Sequence, residues 1–231
     1  MTCLSVIMPV LNEAANIVAA LAPLQELRAA GHEIIIADGG SEDATPTLAI
    51  PLCDRIVTAP RGRATQMNAG AREASGDVLL FLHADTRLPP NVATLIIDGL
   101  AASQKEWGRF DVTIEGRPYM LHVIAILMNL RSRLTGIATG DQAIFVRADA
   151  FRAVGGFPEQ RLMEDIAFSA AMKKRGAPLC RSARVTTSGR RWEKHGVWRT
   201  IVLMWRLRAE YFFGRDPEQL AIRYGYGPRK D

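Results

Sequence analysis

The chain has three cysteines in 231 residues, at positions 3, 53 and 180, and no C-x-x-C pair. So few thiols, odd in number and scattered, exclude a disulfide framework; reduced thiols of a cytoplasmic protein are the expectation. Long apolar runs are also lacking. The longest, residues 119–130, contains His122 and Asn129 and is bracketed by Arg117 and Arg131. A bilayer span needs about 20 apolar residues, so no crossing helix is expected. Residues 1–11 have neither a basic n-region nor a small-residue cleavage site, and no signal peptide is read there. Internal repeats and low-complexity stretches are missing too. Lysine is scarce, at 5 of the 29 basic residues. The basic complement is therefore arginine, the better residue for fixing carboxylate or phosphate groups.

What is present reads as a folded domain. A hydrophobic content of 48% and a charged content of 23% suit a globular protein with a full core. The net charge of +5 is unevenly placed. Residues 181–231 hold 12 Lys or Arg against 5 Asp or Glu, and the other 180 residues hold 17 against 19. The positive balance thus belongs to the C-terminal fifth. No RNA- or DNA-binding motif accompanies it, so nucleic acid is not an expected partner.

Apolar patterning predicts strands over residues 4–8, 33–37, 55–58 and 78–82, with helices over 43–49, 64–73 and 90–102. Asn12 reads as the N-cap of a further helix after the first strand. Later come a strand over 143–147, helices over 148–154 and 164–175, a strand over 184–188 and a long helix over 197–213. Near-continuous apolar strands alternating with helices predict an α/β, Rossmann-like fold. Its central sheet would be mostly parallel, with helices on both faces. Ligands of such sheets sit beyond the carboxyl ends of the strands. Three of the first four strands end in polar clusters: Asn12-Glu13, Asp38 to Asp43, and His83 to Asp85. Gathered carboxylates there suit Mg2+ or Mn2+ bridging to a substrate diphosphate. Each acid also has a plainer reading. Asp85 can cap the next helix, Asp38 can serve its own turn, and Glu164-Asp165 can complement a helix dipole.

Five segments in order carry a resemblance. They are Met8-Pro9-Val10-Leu11-Asn12-Glu13, the turn Ala37 to Thr45, Arg61-Gly62-Arg63-Ala64 through Asn68-Ala69-Gly70, Gly76-Asp77 through Asp85, and Phe151 through Asp165 with Val154-Gly155-Gly156-Phe157 inside. They resemble the P-x-x-N-E, D-G-S-x-D-x-T, basic N-x-G, G-D-x-L-x-F-L-D-A-D and V-G-G-F…E-D segments of family-2 glycosyltransferases with the GT-A fold. The chain is similar to the compact bacterial subgroup labelled arsenosugar-biosynthesis glycosyltransferases. The resemblance implies a GT-A domain over residues 1–190, with a donor half to about 105 and an acceptor half after it. Residues 191–231 would be a basic, amphipathic helical segment packed on that body.

The resemblance also implies roles. A UDP- or GDP-sugar would lie among Pro9, Asn12, Glu13, Asp38, Gly39, Arg63, Asn68, His83, Ala84 and Asp85. Asp38 would bind the base, and Arg63 would lie near the base or diphosphate. Asp85 would bind the metal, with His195 as a further ligand. Asp165, beside Glu164, would deprotonate the acceptor. The implied activity is that of an inverting, non-processive hexosyltransferase with a small-molecule acceptor. His83 stands where the motif has its first Asp, and can accept from a ribose hydroxyl or ligate a metal. Gly189-Arg190-Arg191-Trp192 resembles the Q-x-x-R-W segment of processive members without its Gln. Polymer synthesis is therefore not expected, and Arg190, Arg191 and Trp192 are candidates to close over the acceptor or diphosphate. Two rivals stand beside this reading. One is a polyprenyl-phosphate sugar transferase at the inner membrane surface, whose acceptor is already an anion and needs no base. The other is a nucleotide-binding scaffold. The apolar face of the 197–213 helix has three occupants to choose from: the body, a second copy in a homodimer, or a membrane interface.

Overall fold

The computed structural model describes residues 2–226. Eight strands build one sheet: β1 Leu4–Val10, β2 Glu33–Asp38, β3 Arg55–Thr58, β4 Val78–Phe81, β5 Thr86–Arg87, β6 Trp107–Glu115, β7 Phe145–Arg147 and β8 Leu179–Ser188. Their order is β3-β2-β1-β4-β7-β6-β8-β5. The half from β3 to β4 is parallel throughout, as its apolar strands predict. The other half is mixed. β7 lies antiparallel between β4 and β6, β6 and β8 are parallel, and β5 closes the edge antiparallel to β8. Four of the seven strand pairings are parallel, so the sheet is mostly parallel with a mixed half. β7 follows directly on the short 3-10 turn Gly140–Gln142. That turn touches His83, beyond the carboxyl end of β4, so β7 runs away from that end.

Alternate side chains of the parallel strands feed two apolar layers. Val6, Met8, Ile34, Ile36 and Leu80 enter one, and Ile7, Ile35, Leu79 and Phe81 enter the other. The helix Arg63–Glu73 packs on the second layer so closely that a Cβ on Gly70 would stand 2.6 Å from Ile7 Cγ2. β6 was not legible as a strand because Gly108, Arg109 and Asp111 interrupt its apolar pattern. Arg109 is wholly buried and paired with Asp111, which also takes Arg133 at 2.7 Å. The Asn129 side chain bonds the Val112 N–H and C=O at 2.8 and 3.0 Å, docking the helix Met120–Thr135 on β6.

Asn12 is not an N-cap. It has φ of 53°, and the helix begins only at Ile17. Its side-chain oxygen accepts from the Glu42 N–H at 2.9 Å and its own N–H donates to Ser41 Oγ at 2.9 Å, tying the ends of β1 and β2 together. At the C-terminus the helices Arg190–His195, Val197–Phe212 and Pro217–Tyr224 pack back on the body. Leu203, Leu207 and Tyr211 meet Leu162, Met163 and Leu220, while Trp192, Val197 and Ile201 meet the main core. The outer face of the long helix leaves Trp198, Val202, Trp205 and Phe212 exposed. Residues 227–231 of the expected C-terminal segment lie outside the described residues. Among the described residues no helix is long and apolar enough to cross a membrane.

Gly70→Ala should therefore overpack the seam with Ile7. A fall in Tm of several degrees, on the order of 1–3 kcal/mol, is expected in thermal unfolding. Gly176→Ala, where nothing lies within 4 Å of the added carbon, should leave Tm unchanged. Equal losses in both would contradict this packing.

Candidate active site

The carboxyl ends of β1 and β4 and the segment from Pro60 to Gln66 open on a cavity of about 950 Å³. Of the expected residues, Pro9, Glu13, Arg63, His83, Ala84 and Asp85 line it. Gln66, Glu159, Gln160, Arg161 and Tyr226 line it as well, and sequence reasoning had passed over all five. The other expected donor-side residues, Asn12, Asp38, Gly39 and Asn68, stand behind the wall and hold it.

Their bonds explain how. Asp38 is buried, and its carboxylate accepts from the Gly40 and Ser41 N–H groups at 3.1 and 3.0 Å and from the Ser41 hydroxyl. It shapes its own turn. Gln66 Nε2 donates to the carbonyls of Val10 and Ala37, each at 2.8 Å, joining the carboxyl ends of β1 and β2. A Cβ on Gly39 would come within 3.0 Å of that Gln66 side chain, so Gly39 leaves it room. Asn68 bonds the Phe157 N–H and C=O at 2.9 and 2.8 Å. Gly156, at φ of 77°, turns the chain there, and a Cβ on it would stand 2.7 Å from Asn68 Oδ1. This clamp delivers Glu159, Gln160 and Arg161 to the cavity two to four residues later.

Beyond β4 a second set of groups converges. His83 Nδ1 lies 3.4 Å from Asp141 Oδ1. The His83 ring rests on Gly140, where a Cβ would stand 2.5 Å from its Cε1. The Gly140 N–H donates to Asp165 Oδ2 at 2.9 Å, and Asp165 Oδ1 accepts from the Ile166 N–H. Asp165 opens the helix Glu164–Lys173 with Glu164 buried beside it. Burial pushes the Glu164 carboxyl up to about 7 and the Asp165 charge adds to the rise, against Arg63 and His83. Burial would also raise Asp141, but its hydrogen bond to His83 and the charges of His83, Arg63 and Arg208 hold it below the usual carboxylate range. Burial works against charge on Arg63. Tyr226, Glu164, Tyr224 and Asp141 outweigh it, so Arg63 stays cationic in the crevice.

The C-terminal helices reach the same place. The Arg161 guanidinium sits 5.8 Å from the Tyr226 ring and 2.6 Å from Glu218. Arg191 stacks on Tyr224 at 3.6 Å and donates to the Tyr224 carbonyl at 2.9 Å. Arg190 is exposed and bonds Ser188 Oγ. Trp192 packs on the main core, and His195 is exposed at the end of its helix.

Among the described residues no three His, Cys, Asp or Glu side chains gather as a metal cage. Asp85 is instead one exposed carboxylate on the cavity wall. Mg2+ and its like are commonly held by one or two carboxylates together with substrate phosphates. The donor set therefore fits a divalent ion that arrives with a diphosphate.

Residues 5–155 match the family described as Glycosyl transferase family 2. The chain belongs to that family. A relative is the undecaprenyl-phosphate 4-deoxy-4-formamido-L-arabinose transferase of Pseudomonas fluorescens (strain Pf0-1), 29% identical over 164 residues. The match takes in 63% of this chain and 46% of the relative, so the chain spans less than half of that protein. S. aureus TarS 1-349 in complex with UDP-GlcNAc superposes with a TM-score of 0.66 at 16% identity, over 80% of this chain and 58% of that one. The mannosyltransferase PcManGT from Pyrobaculum calidifontis, in complex with GDP-Man and Mn2+, superposes at 0.64 with 21% identity, over 98% and 66%. The fold is GT-A, and the chain is a family-2 glycosyltransferase domain.

In this glycosyltransferase the raised Glu164 carboxyl has a measurable sign. Its unfolded value is about 4.3, and the folded protein keeps the proton to about 7. The stability from that proton is full below the unfolded value and is lost as pH rises through the folded one. Glu164→Gln should therefore unfold near the wild-type Tm at pH 4 and several degrees above it at pH 8. A Tm difference that does not vary with pH would contradict the raised value.

Proposed function

We propose that the domain is an inverting, non-processive glycosyltransferase that uses a UDP- or GDP-sugar and in which Asp165 is the general base. The observation that carries this reading is the turn at Gly140. One residue braces the cavity's His83 and holds the Asp165 carboxylate at 2.9 Å. Donor crevice and base are thereby built on a single rigid piece.

The nucleoside would run along Pro9, Glu13 and Gln66, with its diphosphate toward Arg63 and Asp85. Arg63 offers a cation to the phosphate oxygens. A divalent metal at Asp85, with His83 beside it, would neutralise charge developing on the leaving diphosphate. Asp165 takes the proton of the acceptor hydroxyl as its oxygen attacks the anomeric carbon. The new carbon–oxygen bond forms on the face opposite the diphosphate, whose bond breaks, and the configuration inverts. Glu164 holds a proton near neutrality and does not compete as a base. The missing Gln before Arg190-Arg191-Trp192 supports transfer to one discrete acceptor. A small-molecule acceptor accords with the resemblance to the arsenosugar subgroup.

A second reading has its own observation. The exposed Trp198, Val202, Trp205 and Phe212, interleaved with Arg199 and Arg206, have the make-up of an interfacial helix. That supports a polyprenyl-phosphate acceptor, the substrate class in the name of the relative from Pseudomonas fluorescens.

Asp165→Asn separates the two. With a hydroxyl acceptor, turnover should fall about 10²- to 10⁴-fold while nucleotides still raise Tm as in the wild type. Unchanged turnover would remove Asp165 from the chemistry and favour an acceptor that attacks through its own phosphate.

A further inference from the structure

Arg131 and Arg208, on the acceptor side, carry guanidinium nitrogens without a hydrogen-bond partner among the described residues. Arg131 lies on the helix Met120–Thr135 and Arg208 on the helix Val197–Phe212. Nε and Nη2 of Arg131 and Nε of Arg208 are shut off from solvent and have no hydrogen-bond partner among the described residues. The two cations act on each other, Asp165 acts on Arg131, and Arg208 acts on Asp141. They therefore face the same turn that braces His83 and the proposed base. Asp165 bonds the N–H groups of Gly140 and Ile166 and acts on Arg131 through its charge, with no hydrogen bond to either arginine among the described residues.

Such a pair is unfavourable as it stands. Both arginines are half-buried, and a donor nitrogen shut off from water without a partner is costly, with a like charge nearby adding to the cost. Burial pushes the Arg131 guanidinium down to about 10, Arg208 and Arg109 push the same way, and Asp165 opposes them. Arg109, whose Nε is also without a partner, is nonetheless matched in charge by Asp111 in the same half of the protein. Arg131 and Arg208 have no hydrogen-bonded carboxylate among the described residues. Unsatisfied buried donors of this kind call for a missing acceptor group.

We propose that Arg131 and Arg208 form a subsite for a phosphate monoester carried by the acceptor, seated beside Asp165. A phosphate monoester brings a charge of about −1.5 to −2 near neutrality, which balances two guanidiniums. Its oxygens suit the arginine fork. The inference rests on the reading of the Asp165 side of the crevice as the acceptor side and narrows the acceptor class. The phosphate has two sources: a soluble phosphorylated acceptor or a lipid monophosphate. The outer faces of the same two helices expose Leu127, Leu130 and Leu134, and Trp198 and Trp205, where a hydrocarbon chain would lie.

Thermal unfolding of the full chain tests this, with inorganic phosphate as probe at constant ionic strength and the donor crevice saturated with Mg2+-UDP or Mg2+-GDP. Arg131→Met and Arg208→Met are compared with the wild type. Without phosphate both variants should unfold at or above the wild-type Tm, since an unmatched cation is replaced by an apolar chain. Phosphate should raise the wild-type Tm, and half-saturation should need at least about tenfold more phosphate in either variant. The nucleotide-dependent shift should be the same in all three. Equal phosphate responses in the three proteins would overturn the subsite. So would variants that unfold many degrees lower without phosphate, which would make the arginines structural. A phosphate response that depends on the arginines, with no nucleotide shift in any protein, would uphold the subsite and overturn the donor reading instead. Glycerol 3-phosphate and a prenyl monophosphate in detergent micelles then separate the sources. The stronger of the two names the source, and protection by neither overturns the proposal.

Discussion

Gly140 has no side chain, and the crevice is organised around that space. The His83 ring fills the position a Cβ would take, 2.5 Å away. The amide of the same residue holds Asp165, and the next residue, Asp141, pairs with His83. The end of β4, the turn into β7 and the start of the Glu164–Lys173 helix are locked together there. This bears on the residue that departs from the family motif. His83 is anchored from two sides, as a working wall of the cavity is and a degenerate position need not be.

Charge follows from the same packing. The first 180 residues are slightly acidic and the rest strongly basic. In space the two do not separate. The C-terminal helices carry Arg208 into reach of Asp141, stack Arg191 on Tyr224 and bring Tyr226 to the cavity wall. The cavity wall holds Arg61, Arg63 and Arg161 against Glu13, Asp85 and Glu159, and beside it Arg131 and Arg208 act on Asp165 and Asp141. A diphosphate donor and an anionic acceptor are the ligands such a mixture suits. A nucleic acid would want an open basic face.

The parallel half of the sheet was legible because each strand is a short apolar run that ends in polar residues. β6 was hidden because a buried Arg109–Asp111 pair breaks its pattern, and a buried ion pair looks like a surface in sequence. The polar ends of β1, β2 and β4 were legible as motifs, yet several of their residues work behind the wall. Asn68 is an example. Its partner Phe157 lies 89 positions away, and no local spacing announces that contact. Arg131, Arg208 and Tyr226 carried no signal at all. Each is a lone residue in an amphipathic or basic stretch, and only the docking of the helices gives it a role.

The claim most open to a direct check is that the crevice and Asp165 carry out a single displacement. Donor hydrolysis, with water in place of the acceptor, reports this without knowledge of the natural acceptor. Proton NMR of the sugar released from an α-linked nucleotide donor, read before mutarotation, should show the β-anomer first, and the signal should fall in Asp165→Asn. Release of the α-anomer first would contradict the account.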